Sequence, residues 1–396
     1  MKISTLLIVV LTILSTFAIS AVAQKRQKAS AEIPFAERAD RFWHWFDKNS
    51  PKMDKLLKKK DGLYKINDLM YEGTRIIGDD VCYNIGNSSE FSFSIEGQSE
   101  NLYLYPWLVA SIPDSLRTNW TVYPCKQPDP SVVNTGFCMF DKEIDIADIM
   151  VAADYDKDKG NFVIYYYHPE FVGLSEEESM HAFTLILELL IGEGAFHNYV
   201  RDIRQKDSDD GMINIANLAD TMKILIENSG KEYHVKPLLP LYGYSGNPNP
   251  ESTQMRSDII AGSSQYMVLI EEYLNGEQNI YDSLKRKGAT ALMLIITQPE
   301  GMSTDDFIEL RYRIQDYLIS LFDSRTLKGI LTGGAYGASG LGYIDLILFD
   351  TDGFLRHISN DKTLRAILTP AAEGSAPLHL MYKTFAIDSP VHPLPL

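Results

Sequence analysis

Residues 289–349 read ATALMLIITQPEGMSTDDFIELRYRIQDYLISLFDSRTLKGILTGGAYGASGLGYIDLILF, and their pattern decides the fold. Residues 289–297 are a nearly unbroken apolar run of strand length, the mark of a strand of the buried type. Ser303-Thr304-Asp305-Asp306 then supplies a hydroxyl cap with acids in the first helical turn. From there Phe307, Leu310, Ile314, Tyr317, Leu318 and Leu321 recur at helical steps, the clearest periodicity in the chain. Strand-like runs at 328–332 and 343–349 flank a glycine-rich connection, and a short helix is expected at 353–359. A strand at 378–387 follows, before Pro390, Pro393 and Pro395 end regular structure. The order strand, helix, strand, strand, helix predicts a small, mainly antiparallel sheet with helices on one face, an α+β unit.

A looser version of the same order lies upstream. A helix begins near Pro34, and its Phe42, Trp43, Trp45 and Phe46 fall within an arc of about 160°, with His44 on the opposite side. Further helices are expected at 53–60, 66–77, 103–112, 180–191 and 213–227. Strands are expected at 81–85, 91–95 and 120–123, with a hairpin at 149–153 and 162–167. Ser175-Glu176-Glu177-Glu178 is a capping box ahead of the 180–191 helix. Pro237, Pro240, Gly243, Gly246, Pro248 and Pro250 mark 229–255 as a linker. The expected organisation is two α+β domains, 34–228 and 256–390, each a small, mainly antiparallel sheet with helices on one face.

Residues 1–23 carry a different message. Lys2, the apolar run 6–19 and Ala21-Val22-Ala23 are the parts of a secretory signal peptide, cut near Ala23. The rival reading is an uncleaved anchor, but the run is short for a span of ~20 residues. The expected location is therefore periplasmic or extracellular. No later segment reaches ~18 uncharged apolar residues, so no transmembrane segment is expected in the mature chain. A formal net charge of −16 repels phosphate backbones and anionic lipid, which argues against nucleic-acid binding. The basic cluster Lys52, Lys55, Lys58, Lys59 and Lys60 reads as the solvated end of a helix. Three cysteines, Cys82, Cys125 and Cys138, are no disulfide scaffold. A bridge between Cys125 and Cys138 is sterically allowed and free thiols are the alternative. The fold must rest on apolar burial, for which a 45% hydrophobic content is ample.

Phe42-Trp43-His44-Trp45-Phe46, Trp120-Thr121-Val122 and Gly192-Glu193 together resemble a domain of uncharacterised bacterial proteins, over about residues 35–200. The C-terminal unit is distantly similar to ferredoxin-like α+β domains, including the ribonuclease E regulator B group. These resemblances imply a fold and no catalytic motif. The export signal departs from an intracellular ribonuclease regulator, so that role is not carried over.

Few residues suggest chemistry. Asp154, Asp156 and Asp158 precede Gly160, but Lys159 and Tyr165 stand where a calcium loop needs Gly and Glu, so a hairpin turn is expected. His181, Glu193 and His197 lack metalloprotease spacing, are expected to be structural or solvated, and no metal is assigned. The stretch from Gly333 to Gly342 is the most unusual. It lacks the Lys-Ser/Thr of a phosphate loop, and a strand follows where a dinucleotide site needs a helix. A bulged connection between strands is the main reading. A binding loop is the other, with Gly333, Gly334, Tyr336, Gly337 and Gly340 close to a ligand and Asp345 beside them. Asp345 lies in an apolar strand and must face water or find a partner, and a water-facing sheet edge is the favoured place. Gly337-Ala338-Ser339-Gly340-Leu341 and Gly243-Tyr244-Ser245-Gly246-Asn247 both fail the serine-hydrolase elbow at the last position. The chain is thus expected to be an exported, non-catalytic binding protein with no cofactor. It would hold a protein or envelope partner through a sheet edge, a loop or an aromatic patch. The alternative is a hydrolase with its site near 333–342.

Overall fold

A computed structural model describes residues 33–59, 61–86, 89–249, 251–252, 254–369 and 378–395. The expected signal peptide, residues 1–23, lies outside them. The chain is α+β and forms two compact units: residues 81–238, and residues 33–80 together with those from 239 onward. The boundary falls inside the predicted linker. The aromatic helix Phe35–Leu57 belongs with the C-terminal strands and not with the N-terminal domain where its position in the chain places it. Phe35 N donates to Gly288 O (2.8 Å), Ala36 N donates to Phe349 O (3.0 Å), and the Phe35 and Phe349 rings meet at 5.5 Å. An amphipathic face demands burial but does not say against what. The face itself is as expected: Phe42, Trp43 and Phe46 are buried and His44 is exposed.

In residues 81–238, β1 (Cys82–Ile85) and β2 (Glu90–Ser94) pair antiparallel, and β3 (Thr121–Tyr123) joins β2 in parallel across helix Asn101–Ala110. β4 (Gly136–Met139) and β5 (Lys142–Asp145) form a hairpin. β6 (Met150–Asp156), β7 (Asn161–Tyr167), β8 (Val200–Gln205) and β9 (Ile213–Asn214) make a sheet ordered β8-β7-β6-β9. The aspartate run is the β6–β7 turn: Asp156 Oδ1 accepts from Asp158 N and Lys159 N, both at 3.1 Å. Helix Glu176–Ile191 starts at the Ser175–Glu178 capping box and drives Phe183, Ile186, Leu187 and Leu190 into the core, where Phe183 stacks on Tyr166 at 4.2 Å. Among the described residues no single helix is long and apolar enough to cross a membrane.

The second unit is built on a seven-stranded sheet of β10 (Tyr242–Ser245), β11 (Ile259–Ser264), β12 (Thr290–Thr297), β13 (Gly329–Gly337), β14 (Leu341–Leu348), β15 (Leu380–Thr384) and β16 (His392–Leu394). The order is β10-β11-β13-β14-β12-β15-β16, with every pair antiparallel. From β12 to β15 the chain follows the split β-α-β-β-α-β arrangement, with helix Thr304–Asp323 as its first crossover. Leu292, Leu294, Ile296, Ile344, Leu346 and Leu348 face that helix, meeting Phe307, Ile314 and Leu318. The alternate residues Met293, Ile295, Tyr343, Asp345 and Ile347 are also fully buried. On their side, Tyr273 of helix Met267–Leu274 meets Phe385 (5.4 Å) and Phe35 meets Phe349. Helices therefore cover both faces of this sheet, where the pattern predicts one. This explains why β12 is apolar without alternation.

Candidate functional site

The edge of the seven-stranded sheet is β10, which lies inside the predicted linker. Leu241 and Tyr242 are more than half exposed there (59% and 56%), and Ile260 on the neighbouring strand is exposed as well. Side chains alternate along a strand. Tyr244 shares the face of Tyr242 but lies over Gly262, where it is half-buried and meets Arg256 in the loop leading into β11. Arg256 is buried and donates from Nη1 to Asp345 Oδ1 (2.5 Å) and from Nη2 to the Tyr244 hydroxyl. Its guanidinium lies 5.2 Å from the Tyr343 ring and 5.8 Å from the Phe385 ring. Arg256 N donates to the Tyr343 hydroxyl (3.3 Å), which donates to Asp258 Oδ1 (2.8 Å). Burial, reinforced by Asp258, pushes the Tyr343 hydroxyl above its ordinary value, so it stays a proton donor. The chain Asp345–Arg256–Tyr244 thus ties the edge strand to the centre of the sheet.

Asp345 therefore does not face water at a sheet edge. It lies on β14, an interior strand, with none of its surface exposed. A buried carboxylate needs an opposite charge, and Arg256 supplies it. An aspartate inside an apolar run signals that a partner exists, but not that a loop arginine 89 positions away provides it.

The glycine-rich stretch is no connection either. Gly333, Gly334, Tyr336 and Gly337 are part of β13, and only 338–340 turn the chain, with Gly340 at φ 71°. One irregularity interrupts the ladder, between Leu331 and Gly333, so the expected bulge is present within a strand. At Gly334 a Cβ would sit 2.5 Å from Arg311 Nη1, so the missing side chain is room for a neighbour. Gln315 Nε2 donates to Gly333 O (3.3 Å), and the Tyr336 hydroxyl donates to Gln298 Oε1 (3.3 Å). Gly337 abuts the Asp258 carboxylate. The six candidate residues are close in the sheet but do not surround one point. Gly334 and Tyr336 lie on the face covered by helix Thr304–Asp323, and Asp345 lies on the other.

Residues 81–238 hold a second polar centre. Lys126 Nζ contacts Glu96 Oε1 (2.9 Å), Glu188 Oε2 (3.2 Å) and Glu193 Oε1 (3.4 Å), and all but Glu96 are buried. Glu193 opens helix Glu193–Tyr199 and accepts from Ser94 Oγ (2.6 Å), Ile95 N (3.0 Å) and Lys126 N (2.9 Å). Burial would discharge Lys126, but Glu193, Glu188 and Glu96 outweigh it and hold the ammonium above its ordinary value. Burial pushes Glu188 up to about 7; Lys126 opposes that shift and Glu193 adds to it. Burial also pushes Glu96 up, but Lys126 and Ser94 overcome it and keep its carboxyl below the usual range. The centre offers a group that exchanges a proton near neutrality. Its sequence signal is Glu188 inside the apolar run of helix Glu176–Ile191; Lys126 and Glu96 carry none.

His181 and His197 are exposed and do not join Glu193. Among the described residues no group of three His, Cys, Asp or Glu side chains is arranged to hold a metal ion. Cys125 and Cys138 are not bridged to each other. Cys138 alternates with buried Phe137 on β4 and faces out, whereas Cys125 is buried, its thiol pushed up to about 12 by burial and by Glu193. Comparison of this chain with protein-family models, curated proteins and solved structures finds no match.

Proposed function

We propose that the chain is an exported binding protein that takes up an extended segment of a protein partner along β10. The supporting observation is an edge strand whose Leu241 and Tyr242 are exposed while Tyr244 is clamped to buried Arg256. An open edge offers a row of backbone donors and acceptors, and flanking side chains add selectivity. A rigid anchor lowers the ordering cost of such binding. Export is part of the proposal, motivated by the leader at 1–23.

The test is selection of extended peptides on the secreted protein, followed by Leu241→Lys with Tyr242→Lys. Two lysines on the edge should weaken a selected peptide by at least about tenfold while the circular dichroism spectrum is unchanged. Equal binding by the double variant sinks the reading.

A hydrolytic reading has one observation in its favour, and it lies away from 333–342. Glu188, with a proton affinity near neutral and Lys126 beside it, suits general acid–base work. A hydrolase screen whose hits lose activity in Glu188→Gln would favour it. Hits that ignore the substitution would not.

A further inference from the structure

We propose that Arg311 is the core of a site for a carboxylate group, set where helix Thr304–Asp323 meets the open side of the seven-stranded sheet. Arg311 is 5% exposed, and its Nε and Nη1 are buried with no hydrogen-bond partner. Gln315, one helical turn on and also buried, leaves Oε1 unpartnered while Nε2 is held by Gly333 O. A buried guanidinium without an opposite charge is costly, and a fold normally supplies the anion, as it does for Arg256 on the other face. Here the described residues supply none.

The surroundings leave room for one. Helix Thr304–Asp323 packs over β13 and β14, and Arg311 Nη1 lies over Gly334. Outward from Gly334 the register runs to Ser263 on β11 and Gly243 on β10, and the neighbouring row runs from Tyr336 to Ala261 and Ser245. Gly243, Ser245 and Ala261 are exposed and Ser263 is half-buried. The result is a shelf of small residues, with one strand spacing of about 4.8 Å between Gly334 and Ser263. Tyr312, half exposed, stacks its ring 4.5 Å from the Arg311 guanidinium at the helix side. One cation, a serine hydroxyl and an amide oxygen match a monoanionic carboxylate with a neighbouring donor. A chain of net charge −16 disfavours a polyanion.

The carboxylate has two sources, a free small acid or an acidic side chain on a bound extended segment. The second source rests on the edge-strand reading above and the first does not. The protein is therefore titrated by calorimetry and thermal shift with glycolate, a monoanion with a hydroxyl donor, against glycolamide, and separately with an Asp-containing extended peptide against its Asn counterpart. At least one acid should bind and raise the melting temperature while its amide does not. Glycolate binding without peptide binding keeps this site and removes the edge reading; peptide binding alone assigns the acid to a bound segment.

Arg311→Met should weaken the acid by at least about tenfold. It should not lower the melting temperature, because it removes an uncompensated buried charge. Ser263→Glu, which brings a carboxylate onto the shelf from within, should raise the melting temperature and block the added acid. The proposal is overturned if neither acid is distinguished from its amide, or if Arg311→Met binds as before. It is equally overturned if Arg311→Met unfolds the chain while Ser263→Glu still binds the acid.

Discussion

The Arg256 centre and the Lys126 centre bury charge in opposite ways. Arg256 and Asp345 are matched one to one, and neither side chain has exposed surface. Lys126 faces three carboxylates, and one of them, Glu96, remains partly open to water. A matched pair with no exposed surface acts as a fixed tie. An unmatched cluster relieves its excess charge by holding a proton, and Glu188 is the group that does so. The first centre ties down the edge strand, and the second gathers three carboxylates around one ammonium.

The largest expected effect breaks the unmatched centre. Lys126→Met leaves three carboxylates facing one another and should cost about 3–5 kcal/mol in urea unfolding at pH 8. The loss should shrink at pH 5, where Glu188 is protonated; equal losses at both values would show that the two groups are not coupled. In the matched centre, Asp345→Ala strands the guanidinium and should cost about 3 kcal/mol. Arg256→Met combined with Asp345→Leu should recover most of that loss in a double-mutant cycle. Failure to recover would mean that Tyr244, and not the charge pair, is what Arg256 is for.

The pH response sharpens the contrast. The folded Glu188 carboxyl sits near 7, above its ordinary 4.5. Across this window the unfolded chain releases the proton that the folded chain keeps. Stability from this group is therefore lost as pH rises from 4.5 to 7, by at most about 3 kcal/mol. Glu96 acts in the opposite sense, losing stability as pH falls through its lowered value. Glu188→Gln should flatten the upper window in thermal melts. The smallest effect is Tyr244→Phe. It removes one hydrogen bond to Arg256, costs about 1 kcal/mol, and should speed amide exchange in 242–245 more than in β12.

Much of the local structure was legible. The Ser303 cap, the Ser175–Glu178 capping box and the β6–β7 turn stand where their residues place them, because each is decided within four residues. The aromatic face of helix Phe35–Leu57 was legible too, but its docking partner was not, since any large apolar surface satisfies the same stripe. β10 was hidden because proline and glycine flank it, and a short edge strand gains its place from pairing with β11. At the candidate sites, Glu188 went unmarked although it too is an acid in an apolar run, whereas Asp345 stood out. Arg256, Lys126 and Arg311 did not, because a basic residue in a loop or amphipathic helix is ordinary in sequence.

By itself, then, the sequence determined the α+β class, the caps, the turns and the need of Asp345 for either water or a partner. Those follow from short-range hydrogen bonding and from the spacing of apolar residues. Only the tertiary structure decided that Arg256 answers Asp345, that three glutamates share Lys126, and that Gly334 of β13 makes room for Arg311. Each of these joins residues distant along the chain. The cost of burying a charge or a void is set by what the fold brings beside it, and nothing local encodes that.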